Sequence, residues 1–148
     1  MGVRSATVMD VPALVGLAKA MHAESGFAGL DFNENIMAAT FLELLGQGQF
    51  LAVYEREGRV VGGYAGYLSR CCFGADLMAH DYGVFVAPEA RGSRAAWVLA
   101  KAFVAWAQQA GAKQIRPGVS TGGAGAGAEA LYAKLGFRRV GALFAMEV

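Results

Sequence analysis

Two stretches of the sequence combine residue types and spacing from which a site for a charged ligand can be built. The first runs from Asp81 to Ala110, DYGVFVAPEARGSRAAWVLAKAFVAWAQQA. It reads as an apolar strand over Gly83 to Val86, a break at Pro88, a short Arg/Gly/Ser turn and a long helix opening near Arg94 or Ala95. The first N–H groups of such a helix lack intrahelical partners and the helix dipole adds partial positive charge there. The turn therefore suits an anion, phosphate above all. The second stretch, Gly123 to Ala128, satisfies Gly-x-Gly-x-x-Ala between a strand and a helix, the weak form of a dinucleotide fingerprint. That fingerprint needs a following strand with an acidic residue about 20 positions on and further βα units. The residues that follow do not supply them, so glycine serving a flexible loop is the preferred reading.

The first stretch also carries a family likeness. VAPEARGSRAA, Val86 to Ala96, resembles the acetyl-CoA loop of the GNAT N-acetyltransferases, Gln/Arg-x-x-Gly-x-Gly/Ala after a strand ending in Val-x-Pro. Arg91 and Ala96 match the ends of that pattern, and Arg94 stands at its central Gly. ALYAKLGFRRVG, Ala130 to Gly141, is similar to the family's C-terminal signature, with Leu131, Tyr132, Lys134, Gly136 and Phe137 in agreement and Gly125 in place of the usual Asn. Together the two matches cover about Asp76 to Val148.

The resemblance implies acetyl-CoA as cosubstrate, no metal, and transfer of the acetyl group to a primary amine by direct attack in a ternary complex. In the family the two central parallel strands splay apart and the pantetheine arm enters between them. Here the backbone of Val84, Phe85 and Val86 would pair with it, and the Val86 N–H would face the oxyanion. The pyrophosphate would lie on the amides of Gly92, Ser93, Arg94, Ala95 and Ala96, with Arg91 and Arg94 as further phosphate contacts. Tyr132 is implied as the acid that protonates the leaving thiolate. His80 lies where several family members carry a base, and imidazole accepts a proton near neutrality. A bulge near Tyr82 would reverse strand parity and favour Asp81 instead, and a third reading has no dedicated base. His22 and Glu24 are candidates for touching the acceptor, a small-molecule or peptide amine. A catalytically silent CoA-binding or scaffold protein on the same fold is the alternative reading, because fold alone does not establish activity.

The elements that would position these groups follow from periodicity. Val3 to Val8 reads as a first strand, and Asp10 and Pro12 open a helix with Leu14, Leu17, Ala18 and Met21 on one face. Met21 to Asn35 reads as a polar loop, and Asn35 to Leu45 as a second helix. Phe50 to Tyr54 and Val60 to Leu68 form a hairpin about Glu57-Gly58-Arg59. In its second arm Gly62, Gly63 and Gly66 suggest a bulge or the close approach of another segment. A strand over Asp76 to Val86 leads into the long helix, and Gln114 to Val119 is a short strand. A helix over Ala128 to Leu135 and a final strand or strand pair over Phe137 to Val148 complete the order. The expected fold is a single GNAT-like α/β domain over 1–148, a mixed, largely antiparallel sheet of six to seven strands with helices on both faces.

Composition narrows the partners. With 148 residues, 55% hydrophobic and a net charge of +1, the chain is globular and lacks the basic surface that nucleic acid requires. The most apolar run, Ala95 to Ala107, contains Lys101 and falls short of the roughly 18 residues that span a bilayer, so no membrane partner is expected. No secretory leader is read, and the expected location is the cytoplasm. Cys71 and Cys72 are adjacent with no second pair to complete a zinc site. A C-terminal edge strand would allow two chains to pair as a homodimer.

Overall fold

A computed structural model describes residues 2–119 and 125–148. Five strands form one sheet in sequence order: β1 (Gly2–Ser5), β2 (Phe50–Arg56), β3 (Arg59–Arg70), β4 (Leu77–Val86) and β5 (Gln114–Arg116). The β1–β2, β2–β3 and β3–β4 pairings are antiparallel and β4–β5 is parallel. Among the described residues four α-helices cover the sheet: α1 (Val11–Glu24), α2 (Glu34–Gly46), α3 (Ala95–Gln109) and α4 (Gly125–Lys134).

The sheet has five strands among the described residues where six to seven were expected, because 137–148 form no strand. Val140, Leu143, Phe144 and Met146 are exposed along that segment. A strand needs a neighbour of its own length to pair with, and β5 offers three residues of edge. The expected C-terminal edge strand therefore has no counterpart here. The glycine-rich segment lies partly at 120–124, outside the described residues, and α4 opens at Gly125, three residues before the expected start.

Local chemistry explains where the helices begin. Thr7 and Asp10 form a reciprocal capping box at a single 3-10 turn, Val8–Asp10. The Asp10 carboxylate takes the Thr7 N–H at 2.8 Å and is gripped by both Arg4 guanidinium nitrogens at 2.8 and 2.9 Å. Arg4 holds this carboxyl down to about 2. Pro12 then sits in the first turn of α1, where a missing N–H is harmless. Asn33 caps α2 by accepting the Ile36 N–H at 3.0 Å.

One core lies on each side of the sheet. α1 and α2 pack Leu14, Val15, Ala18, Phe41 and Leu44 against Val53, Ala65 and Phe85. On the other face α3 and α4 pack Leu99, Phe103, Ala107 and Tyr132 against Phe50, Tyr64 and Ala79. Each fully buried Leu or Phe contributes about 1.5–3 kcal/mol. The glycines of β3 admit these side chains: a Cβ on Gly63 would collide with Leu14, and one on Gly66 with the Phe103 ring. Helix side chains, as well as a bulge beside Gly66, thus account for the glycine-rich arm.

Candidate active site

The bulge decides which residues of β4 can meet. β3 and β4 pair as Ala65 with Gly83 and Gly66 with Asp81, which leaves Tyr82 unpaired. An extra residue reverses the alternation of side chains. Ala79 accordingly packs in the α3 core, and the Asp81 carboxylate meets tyrosines of that core, whereas His80 stacks on Tyr67 with ring centroids 5.4 Å apart. Tyr82 lies 5.0 Å from the same Tyr67 ring, which packs against the α1–α2 core. Strict alternation had placed His80, Tyr82, Val84 and Val86 on one face. In the structure Val84 packs with Ala79 in the α3 core instead.

β4 and β5 pair only over Met78–His80 and Gln114–Arg116. Beyond His80 the edge of β4 that faces β5 has no strand partner among the described residues. The Ala87 N–H donates to the Val61 carbonyl on the β3 side at 2.9 Å. Alternate amides point to opposite edges, so those of Val86 and Val84 face the open edge. At the apex of this opening the Asp81 Oδ1 accepts the Gly118 N–H at 2.9 Å, bridging the point where the two strands part.

Three side chains converge beside that apex. The Tyr132 hydroxyl, from α4, lies 3.0 Å from the Tyr64 hydroxyl of β3. Asp81 Oδ2 is 3.3 Å from the Tyr64 hydroxyl and 3.4 Å from that of Tyr132. Tyr64 is fully buried and Tyr132 nearly so. Burial pushes both phenols above their ordinary value, with Asp81 adding to the effect, and burial also pushes the Asp81 carboxyl up. Tyr132 is held edge-on against Phe137 at 5.4 Å, and Tyr64 stacks on Phe103 at 4.7 Å. Tyr64 was not singled out in the sequence. Its partner in chemistry lies 68 residues away, and only the Gly-Tyr richness of its strand hinted at an unusual environment.

The turn expected to take an anion joins β4 to α3. Gly92 has φ +79°, a conformation glycine adopts at little cost. Arg94 is the N-cap of α3 at φ −78°, ψ −3°, an ordinary conformation for any residue. The chain therefore tolerates arginine at the family's central glycine position without strain. Ser93 Oγ accepts the Ala95 N–H at 3.2 Å, while the Ala96 amide lies in the first turn of α3, where no intrahelical partner exists.

Arg91 leaves this turn to pair with Glu24 at 2.7 Å, both side chains about half exposed. Glu24 and His22 stand on the last turn of α1, which runs three residues further than the expected loop start at Met21. His22 Nε2 lies 2.8 Å from the Leu30 carbonyl, and its ring leans on Phe32 at 5.3 Å. The structure thus joins Tyr132 to Asp81 and Glu24 to Arg91, and places His80 on the opposite face of the sheet from Tyr132.

Comparison with known proteins agrees with this fold. Among solved structures the fold is similar to a ribosomal-protein-alanine N-acetyltransferase from Brucella melitensis (24% identity, TM-score 0.79, 95% of this chain and 86% of that one). It is similar to a predicted acetyltransferase with acetyl-CoA from Clostridium acetobutylicum (16% identity, TM-score 0.79, 98% and 94%). An aminoglycoside acetyltransferase from an uncultured soil metagenomic sample also matches (22% identity, TM-score 0.71, 99% and 97%). No curated protein matches the sequence. No helix among the described residues is long and apolar enough to cross a membrane. The family model described as Acetyltransferase (GNAT) family matches residues 18–137, and the chain belongs to that family.

Proposed function

We propose that the protein transfers an acetyl group from acetyl-CoA to a primary amine by direct attack in a ternary complex. The observation that carries this reading is the nearly buried Tyr132 hydroxyl beside the point where β4 and β5 part. The Val84 and Val86 amides would hold the pantetheine arm along the open edge of β4. The amides of Gly92 to Ala96 would take the pyrophosphate, those of Ser93 and Ala95 by exchanging their 3.2 Å bonds to the Ala90 carbonyl and the Ser93 hydroxyl, with Arg91 and Arg94 as cationic supplements.

Acetyl transfer needs a neutral amine, stabilisation of the oxyanion and protonation of the leaving thiolate. In this reading the two faces of β4 divide those tasks. The bulge expected to favour Asp81 is present, but it turns that carboxyl onto Tyr64 and Tyr132; His80, on the α1–α2 side, takes the amine proton as the amine approaches past His22 and Glu24. The Val86 N–H donates to the oxyanion. Tyr132, on the α3–α4 side, gives its proton to the sulfur. The neighbour from Brucella is named for a protein acceptor and the metagenomic one for an aminoglycoside. A cationic or amphipathic amine suits the Glu24, Asp31 and Glu34 carboxylates and the Phe27, Leu30 and Phe32 side chains between and around the first two helices.

Release of CoA from acetyl-CoA, followed with a thiol reagent across a panel of polyamines, arylalkylamines, aminoglycosides and N-terminal peptides, tests the proposal. Amine-dependent release is the expected result. Tight acetyl-CoA binding with no release for any amine would favour the catalytically silent alternative.

A further inference from the structure

The chemistry above leaves two groups unused, the buried Tyr64 and the partly buried Asp81, and both touch the proposed acid. We propose that Asp81, Tyr64 and Tyr132 form a proton relay, in which a neutral Asp81 carboxyl supplies, through Tyr64, the proton that Tyr132 passes to the departing CoA sulfur. The inference rests on the reading of Tyr132 as the acid.

The contact lengths carry the argument. A hydroxyl donating to an ionised carboxylate makes a short bond of about 2.5–2.7 Å. Here the two contacts to Oδ2 are 3.3 and 3.4 Å, and the shortest of the three lies between the hydroxyls, at 3.0 Å. If both phenols donated to a carboxylate, their oxygens would face each other at that distance with no proton between them. A neutral carboxyl removes the conflict. A chain in which Tyr132 donates to Tyr64 and Tyr64 to an ionised carboxylate would also place a proton between the hydroxyls, but it would draw the Tyr64–Oδ2 contact into the short range; at 3.3 Å the neutral carboxyl fits better. Oδ1, as carbonyl oxygen, accepts the Gly118 N–H at 2.9 Å. Oδ2 then carries the proton and donates to Tyr64, Tyr64 donates to Tyr132, and the Tyr132 proton is left to point outward.

The surroundings favour this state. The groups facing the carboxyl are Tyr64 from β3, Tyr132 from α4 and the Gly118 amide after β5, and α3 contributes the Phe103 ring against Tyr64. Among the described residues no Lys, Arg or His pairs with it. Desolvation without a cation disfavours the charged form, in line with the upward push on Asp81.

In the transfer step the C–S bond of the tetrahedral intermediate breaks and its electron pair goes to sulfur. The S–H bond forms as the Tyr132 O–H breaks. The Tyr64 proton moves to the Tyr132 oxygen and the Asp81 proton to the Tyr64 oxygen. Both tyrosines end neutral, Asp81 ends as a carboxylate on the Gly118 N–H, and it regains a proton from solvent, into which His80 releases the one it took from the amine.

Infrared difference spectroscopy at pH 7 between the wild type and Asp81→Asn tests the first half. The variant keeps the shape and the Gly118 contact but cannot titrate. The expected result is the carbonyl stretch of a protonated carboxylic acid in the wild type, lost in Asp81→Asn and shifted in Tyr64→Phe. If Asp81→Asn does not fold, the Tyr64→Phe shift decides. A spectrum showing only a carboxylate in the wild type, or an acid band indifferent to Tyr64, overturns the relay. The second half is read from CoA release in H₂O/D₂O mixtures, using acetyl-CoA with an amine turned over in the panel, or with water. A curved dependence on deuterium fraction in the wild type, linear in Tyr64→Phe with kcat lowered at least threefold, is expected. If Tyr132→Phe retains the wild-type rate, the assignment of the acid is at fault. If Tyr132→Phe is slow while Tyr64→Phe and Asp81→Asn match the wild type in rate and isotope dependence, the relay alone falls.

Discussion

Replacing Gly92 with valine asks whether the turn before α3 holds acetyl-CoA. Gly92 adopts φ +79°, and a Cβ built there meets nothing within 4 Å. The substitution therefore introduces no clash, and its effect is confined to the backbone and to the open space outside the turn. For a residue with a Cβ the left-handed conformation costs about 1–2 kcal/mol, with β-branched valine at the upper end. If the turn keeps its shape, the folded protein loses that amount, a fall in Tm of roughly 3–6 °C for a domain of this size. The valine methyls then occupy the space the pyrophosphate needs. If the turn instead relaxes, stability is retained but the Gly92 to Ala96 amides are misaimed, and binding must restore the strained form. That step alone raises Kd roughly five- to thirty-fold. Both routes predict acetyl-CoA affinity at least about fivefold weaker in a protein that remains folded. Calorimetric titration with acetyl-CoA gives the affinity, and a thermal melt of the same sample shows which route was taken. A folded variant with unchanged affinity would refute the phosphate role of the turn.

Other perturbations read other parts of the site. Tyr132→Phe keeps the ring against Phe137 and removes the proton donor; kcat should fall at least tenfold with acetyl-CoA affinity little changed, since general acid catalysis is worth about 10² to 10⁴. Wild-type kcat with chemistry rate-limiting would return Tyr132 to a packing role. Glu24→Gln should raise the KM for the amine, while that for acetyl-CoA stays level or falls as Arg91 is freed from its 2.7 Å pair; an equal rise in both would count against an acceptor contact. For Asp10, the carboxyl is lowered from its ordinary value to about 2 by Arg4. Its contribution is present above about 4 and is lost as pH falls through about 2, so Asp10→Asn should cost about 1–2 kcal/mol at pH 7, after discounting for screening at the half-exposed Arg4, and less at pH 3. Urea titrations of both proteins at the two pH values measure this, and a pH-independent difference would exclude the ion pair as its source.

Much of the fold was legible because single-element signals are local. The alternation of Phe50 to Leu68 across Glu57-Gly58, and the strand–turn–helix at Val86 to Ala96, correspond to β2, β3, the end of β4 and the start of α3. Tyr132 was legible through the signature around it, and its place on α4 agrees with that likeness. What escaped is decided by pairing. The parity of β4 depends on how Gly66 meets Asp81 across the ladder, and the involvement of Tyr64 depends on where α4 crosses β3. The segment 137–148 has strand-like composition, yet forms no strand beside the three residues of β5.

The bulge at Tyr82 makes β4 a strand read in two phases. Upstream of it, odd-numbered side chains belong to the α3–α4 face; downstream, Val84 does. Losing or gaining one residue at that point would exchange the two surfaces wholesale on one side of the slip. The Asp81 carboxyl would be driven into the apolar layer beneath α1 and α2, and an imidazole would take its place beside the tyrosines. The register count through this strand is therefore under tighter physical control than the identity of any one of its side chains, and point substitutions in β4 should be far better tolerated than single-residue indels.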